Sequence, residues 1–431
     1  MNVFISTLGC KVNEVDSELY AQEIASLGAT VVSDLNEADA VVINSCSVTS
    51  RAQAQSLQVV RRALRERPEA RVFLVGCGSS LLQLTHAQVP AGVTVVSLDD
   101  RSTLARIVTN SGGVAEEPVP WIERMIQKAG PRNRVDVRIQ EGCDNLCSYC
   151  VIPYVRGAHL QSKPMSVAVD EVVSLATTGV KEVVLTGTEI GKYGAGPDSL
   201  STLLESMLGT LEVAGLPTRI RISSLNPDAI TEGLTRQFER HPALCPQLHL
   251  PLQSGSNAVL RRMRRPYAVE DVMRSVERLR SINPLFTFTT DVIVGFPGET
   301  ERDLQATLDV IRAAAFAKVH VFRFSPRPFT PAAREPEQVP VSIARDRLHS
   351  VLDVAERTGM TFAHQFVGRD VTIVSEQVSP GIVQGYSEQY LWTQGRTYPD
   401  ITPQRDRFIT IHAESCRFDG ERVVLEGRLN D

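Results

Sequence analysis

Short apolar runs and stretches of helical spacing alternate along the first part of the chain. Residues 2–8, 40–44, 71–76 and 93–96 are apolar and bounded by turn residues, as buried strands are, with a weaker run at 30–33. Between them, 14–27 and 48–67 repeat apolar residues at helical spacing, and the second stretch stops at Pro68. The alternation predicts a small parallel sheet covered by helices over 1–112, with its functional loops at the carboxyl ends of the strands. Residues 113–134 lose the periodicity, carry Pro118, Pro120 and Pro131, and read as a linker.

The alternation restarts at residue 135. Strands are predicted at 135–141, 182–187, 219–223, 248–253, 287–295 and 318–325, with helices over 167–178, 200–213, 227–238, 269–281 and 301–314. Six strands are too few for the eight-stranded closed barrel. Residues 135–366 therefore read as an open (βα)6 barrel ending in a closing helix at 341–366. Beyond it come short β-type runs at 371–375, 381–386, 390–394, 407–413 and 422–425, separated by Gly, Pro and Asp. They predict a small all-β barrel over 367–431. The fold class is α/β with this β unit appended.

Composition adds exclusions. The 431 residues suit two to four domains at roughly 100–200 residues each. Apolar residues at 42% and charged residues at 22% are ordinary for a globular chain. No apolar run reaches the length of about 18 residues that a membrane span needs. Residues 1–6 lack the basic region and cleavage site of a secretory signal. A cytoplasmic protein with no membrane partner is expected. The net charge of -5 gives no global field toward nucleic acid, so any such contact must come from local patches.

Eight Cys are too dilute for a disulfide scaffold, and six of them fall into two patterned groups. Cys143, Cys147 and Cys150 form CxxxCxxC directly after a predicted strand. Three thiolates on one loop can hold three irons of a 4Fe–4S cubane, leaving the fourth iron open to a chelating ligand. Zinc would want a fourth ligand, and the nearest imidazole, His159, has no partner beside it. Cys10, Cys46 and Cys77 are far apart in sequence, yet each follows a predicted buried strand of one sheet. Their thiols would converge on one crevice. Cys245 and Cys416 fall outside both groups and read as packing residues.

The CxxxCxxC loop after the first strand of a (βα)6 barrel resembles the radical S-adenosylmethionine enzymes, and the two-cluster layout resembles their methylthiotransferase branch. The likeness rests on Thr7–Asn13, Asn44–Thr49, Gln140–Cys143, Val151–Gly157, Leu248–Ser256 and Asp291–Glu299. It covers nearly the whole chain and makes the C-terminal unit similar to a TRAM domain. Gly9-Cys10-Lys11-Val12-Asn13 and Arg261–Tyr267 look most like the branch acting on N6-threonylcarbamoyladenosine beside the tRNA anticodon.

The resemblance implies two 4Fe–4S clusters, a S-adenosylmethionine-binding one on Cys143, Cys147 and Cys150 and an auxiliary one on Cys10, Cys46 and Cys77. Carbon 2 of the adenine would receive the methylthio group, and a reducing protein would supply the electron. Tyr149 would pack on the cofactor's adenine. Gly187 and Glu189 would lie near its methionine amino group, and Ser223 and Gly295 near its ribose or adenine.

For the tRNA, Arg261, Arg262, Arg264 and Arg265 offer four guanidiniums for phosphates, and Arg61, Arg62, Arg65 and Arg67 form a second basic cluster. Lys11 could face the threonylcarbamoyl carboxylate. Residues 367–431 hold seven Arg against ten Asp and Glu, so stacking on Tyr386, Tyr390 or Trp392 would have to replace charge there. Gln55-Ser56-Leu57 departs from the Lys-Ser-Arg common in the family. Isopentenyladenosine tRNA or a ribosomal protein side chain are alternative substrates of the same chemistry. A non-catalytic zinc-dependent RNA-binding protein is the alternative of a different class.

Overall fold

The computed structural model describes residues 1–111, 119–127, 134–194, 199–397 and 404–429. Five parallel strands make the first sheet: β1 (Asn2–Thr7), β2 (Thr30–Val32), β3 (Ala40–Ser45), β4 (Arg71–Gly76) and β5 (Val93–Val95), in the order β2-β1-β3-β4-β5. β3 is buried at all six positions, as a strand covered on both faces must be, and its near-unbroken apolar run follows from that. Helix α1 (Lys11–Ser26) begins directly after Cys10, three residues before its predicted start. Helix α2 (Ser50–Glu66) is started by Thr49, whose hydroxyl accepts the Ala52 N–H at 3.1 Å. Helices α3 (Cys77–Leu84) and α4 (Leu104–Thr109) are additions to the elements read from the pattern.

The segment read as a linker is not a bare connector. Its residues 112–118 and 128–133 lie outside the described residues, but 119–127 pack down. Trp121 is buried, its indole N–H donates to Asp16 Oδ1 at 2.8 Å, and its ring lies 5.2 Å from that of Tyr20. The Ile126 N–H donates to the buried Glu171 at 2.7 Å. A single 3-10 turn at Trp121–Glu123 has too few residues to show a period, which is why the pattern missed it.

The second unit has β6 (Arg134–Glu141), β7 (Gln161–Ser162), β8 (Glu182–Gly187) and β9 (Arg219–Ile222) in one sheet, and β10 (Gln247–His249), β11 (Thr287–Val294) and β12 (Lys318–Arg323) in another. Bridges Ile220–Leu244 and Ser224–His249 join β9 to β10. The six parallel strands thus run β6-β8-β9-β10-β11-β12, an open barrel edged by the short antiparallel β7. β10 is shorter than the predicted 248–253, since Pro251 has no N–H for a ladder. Helix Val341–His364 closes the unit.

The C-terminal unit is a six-stranded sheet, β13 (Asp370–Val374), β14 (Gln377–Ser379), β15 (Ile382–Tyr386), β16 (Trp392–Arg396), β17 (Phe408–Phe418) and β18 (Val423–Leu429), ordered β13-β17-β18-β16-β15-β14. A bridge between Ile373 and Ser387 brings β13 back toward β15, so the sheet closes part-way on itself. It docks on β9. Arg219 donates to the carbonyls of Thr372 and Tyr386, at 3.1 and 2.8 Å. Arg221 donates to those of Ser387 and Glu388, at 3.0 and 2.9 Å. Both arginines pair with the buried Glu182. The guanidinium of Arg134 sits 4.9 Å from the Tyr386 ring centre and that of Arg221 5.0 Å from Tyr390. Tyr386 and Tyr390 stack on each other at 4.4 Å. Two of the aromatics expected to stack on RNA bases, Tyr386 and Tyr390, are therefore engaged at an internal joint, while Trp392 packs edge-on against Tyr386 beside the Arg422 guanidinium. Among the described residues no helix is long and apolar enough to cross a membrane.

Candidate active site

β1, β3 and β4 are consecutive neighbours, and each ends at a cysteine: Cys10 before α1, Cys46 just past β3, Cys77 as the first residue of α3. Gly9 holds φ +120°, and a Cβ there would lie 3.1 Å from Cys46 Cβ and 3.2 Å from its Sγ. A side chain at this position would push the Cys10 loop off Cys46. Asn13 ties the three loops together. Its amide donates to Leu8 O at 2.8 Å and Ser45 O at 3.2 Å, and its Oδ1 accepts from Arg156 Nη2 at 2.7 Å. Ser56, in the stretch that departs from the family pattern, accepts the Cys46 N–H at 3.3 Å. Arg156 Nε donates to Cys77 Sγ at 3.0 Å.

In the barrel unit, the CxxxCxxC loop leaves β6 and returns into the short helix α5 (Ile152–Arg156). It is pinned at its middle. Ser148 donates from N to Met263 O at 3.0 Å and from Oγ to Arg262 O at 2.7 Å, and its own carbonyl accepts from Ala332 N at 2.8 Å. Burial pushes Cys77 and Cys150 up to about 12 and Cys143 up to about 11. Within each triad a neighbouring thiolate raises them further. Binding a metal here must displace protons.

Among the described residues no three His, Cys, Asp or Glu are gathered tightly enough to grip one metal ion. A cubane spreads its thiolates over separate irons and takes a wider triangle than zinc does. Each triad offers three sulfurs, and that donor set fits an iron–sulfur cluster.

Beside the CxxxCxxC loop lies a cluster of hydrogen-bonded polar groups. Glu189 accepts from Asn145 at 2.9 Å and Asn226 at 2.7 Å, and its own N–H donates to Gln140 at 2.7 Å. Burial raises its carboxyl to about 7, with Arg265 working against the rise. Thr188 Oγ1 is buried there without a hydrogen-bond partner, a fit for a polar ligand. Tyr149 is half-buried against the core next to Cys150. Gly187 is needed for close packing, since a Cβ would lie 2.5 Å from Gln140 O. Ser223 is half-buried at the end of β9, its backbone engaged with Leu185 and His249. Gly295 is turned away to the closing helix. Its amide donates to Glu299 at 2.6 Å, and a Cβ would meet Ala344 at 2.6 Å. That gives Gly295 a packing role against the closing helix.

The arginine run separates. Arg261, Arg262 and Arg264 are exposed, with Arg262 donating to Gly298 O at 2.8 Å. Arg265 turns inward and donates to Cys147 Sγ at 3.2 Å, Asn226 Oδ1 at 2.6 Å and Tyr267 OH at 2.9 Å. It is part of the polar group at the CxxxCxxC loop and not a phosphate contact. In the second basic group, Arg62 and Arg65 pair with Glu66 and Arg67 with Glu69.

At the barrel mouth His249 Nε2 lies 3.4 Å from Asp291 Oδ2, and the His249 and His320 ring centres are 6.1 Å apart. Burial works against the Asp291 carboxylate, but His249, His320 and Lys11 together hold its pKa low. Burial lowers His320 to about 4 against the pull of Asp291, with Lys318, His249 and, least, Lys11 adding to the lowering. Lys11 itself is exposed and starts α1 directly after Cys10.

The sequence pattern of the Radical SAM superfamily matches residues 137–311, and that of Uncharacterized protein family UPF0004 matches residues 2–97. The threonylcarbamoyladenosine tRNA methylthiotransferase MtaB of Thermotoga maritima is 35% identical over 395 residues, 90% of this chain and 90% of that protein. The chain belongs to the radical S-adenosylmethionine methylthiotransferases. This methylthiotransferase is an enzyme that transfers a methylthio group, with 4Fe–4S clusters and S-adenosylmethionine as its cofactors. The tRNA-2-methylthio-N(6)-dimethylallyladenosine synthase of Helicobacter pylori strain G27 is 30% identical over 439 residues, 99% of this chain and 96% of that one. The structure of the radical S-adenosylmethionine methyltransferase TsrM from Kitasatospora setae shares the fold at TM-score 0.57 and 16% identity, over 89% of this chain and 80% of that one.

Proposed function

We propose that this methylthiotransferase modifies tRNA, at carbon 2 of N6-threonylcarbamoyladenosine next to the anticodon. The observation that carries the reading is the 35% identity to the Thermotoga maritima threonylcarbamoyladenosine tRNA methylthiotransferase over 90% of both chains; beside it stands Lys11, exposed and directly after Cys10, whose charge acts on Asp291 and His320 of the barrel. In this reading the N6 substituent of a base presented to the Cys10 triad meets that ammonium. Threonylcarbamoyl bears a carboxylate and isopentenyl does not. A partly desolvated charge-assisted bond is worth roughly 1.5–3 kcal/mol, or about 10–150-fold in discrimination.

In this reading Cys143, Cys147 and Cys150 hold the cluster that binds S-adenosylmethionine, and Cys10, Cys46 and Cys77 hold the auxiliary cluster. When bound, these groups supply the radical that opens an unactivated C–H bond and the sulfur that replaces the hydrogen. The chain's residues position and shield. Glu189 takes the cofactor's ammonium, Thr188 Oγ1 gains a partner, and Tyr149 packs on the adenine. Exposed Arg261, Arg262 and Arg264 take RNA phosphates. A reducing protein supplies the electron.

The test is turnover with purified tRNA carrying either modification, with nucleosides read by mass spectrometry. Product on the threonylcarbamoylated tRNA is expected. Product only on the isopentenylated tRNA overturns the substrate, and product only on a ribosomal protein overturns the RNA reading.

A further inference from the structure

We propose that Arg156 sets the reduction potential of the auxiliary cluster, an inference that rests on the placement of that cluster on Cys10, Cys46 and Cys77. Arg156 ends α5, six residues after Cys150, yet its guanidinium crosses into the N-terminal unit. Its side chain is 2% exposed, and all three nitrogens are committed. Nε donates to Cys77 Sγ at 3.0 Å, Nη1 to Glu141 Oε1 at 2.8 Å, and Nη2 to Asn13 Oδ1 and Asp16 Oδ2, both at 2.7 Å.

The two carboxylates that hold it are already partnered. Arg138 pairs with Asp16 at 2.5 Å, and Arg101 grips Glu141 through two bonds of 2.7 and 2.8 Å. Three guanidiniums therefore meet two carboxylates. The surplus positive charge sits out of water, against a sulfur that would be an iron ligand.

A reduced cluster carries one more negative charge than an oxidised one. A buried cation and an N–H···S bond both favour the reduced form and raise the potential. The rigid fork fixes this effect in place. The CxxxCxxC site has its own guanidinium, Arg265 on Cys147, whereas Arg156 stands beside Cys77, which it bonds, and Cys10. Its placement does not depend on the other cluster, because Val151 and Val155 of the same segment pack on Cys77, Leu81 and Leu98.

The test uses the full chain carrying Cys143→Ala, Cys147→Ala and Cys150→Ala, reconstituted anaerobically so that only the auxiliary triad can hold iron. About four irons per chain are expected; none would overturn the placement of the cluster itself. The midpoint potential is then followed by electron paramagnetic resonance during a redox titration, with and without Arg156→Gln or Arg156→Lys. Arg156→Gln is expected to lower it by on the order of 59 mV, a tenfold change for a one-electron couple. Arg156→Lys, which keeps the charge and loses the fork, is expected to fall between. Iron retained with an unchanged potential in Arg156→Gln overturns the inference. If Arg156→Gln does not fold or loses its iron, Arg156→Lys decides: a lowered potential supports the role, and the parental potential leaves Arg156 a structural residue only.

Discussion

Glu189 has its carboxyl raised to about 7 by burial, and in the proposed reading it must be ionised to take the ammonium of S-adenosylmethionine. Lowering the pH through that value protonates it and removes the attraction. Cofactor affinity is therefore expected to fall by up to about tenfold per unit below pH about 7, and Glu189→Gln is expected to flatten the profile. Equilibrium dialysis at pH 6 and 8 checks both. Lys11→Ala is expected to lower kcat/KM on threonylcarbamoylated tRNA by about tenfold or more, without changing cofactor cleavage in the absence of tRNA. At this scale the cysteines were legible, because spacing and strand ends carry their signal. The inward turn of Arg265 was not. Arg264 adopts φ 57°, which swings the next side chain away from its exposed neighbours, and no pattern of charge shows that. Arg156 was hidden for the opposite reason: its partners Cys77, Asn13 and Asp16 belong to a different unit of the chain.

Among the elements, the turn from β4 into α3 is the most tightly specified. Gly76 holds φ +96°, and a Cβ there would lie 2.2 Å from Asn44 Oδ1 and 2.7 Å from Ser45 O. Gly76→Ala thus meets both a disfavoured backbone and a collision with β3. The backbone alone costs roughly 1–3 kcal/mol. A lower urea midpoint is expected, together with loss of iron from the auxiliary triad and retention at CxxxCxxC. The long amphipathic helices and buried strands were readable because periodicity accumulates over many residues. α5 and the Trp121 turn were not, having five and three residues. Their positions are decided by tertiary partners: Cys77 and Leu81 for α5, Asp16 and Tyr20 for Trp121.

For the whole molecule, the joint between barrel and C-terminal sheet is ionic and dry. Glu182 is 1% exposed and held by Arg219 and Arg221, and its carboxyl lies well below the usual range: burial opposes ionisation, but the two arginines outweigh it. Arg221→Ala leaves part of that buried charge uncompensated and frees two carbonyls of the docked sheet. A loss of about 3–5 kcal/mol is expected in chemical denaturation. The negative balance of residues 367–431 was visible in composition. That their tyrosines face Arg134 and Arg221 instead of solvent was not, because the pairing spans more than 160 positions of the chain.

The ion cluster of Asp16, Glu141, Arg101, Arg138 and Arg156 joins the first sheet to the barrel, and Trp121 caps it from the connecting segment. Such a clamp leaves no hinge between the two sulfur-bearing loops. In the proposed reading the substrate must therefore move to reach both loops, since the clamp gives the protein no joint there on which to close around it. On that proposal, selectivity begins with which RNA can bring a base to both loops, before any side chain reads its modification.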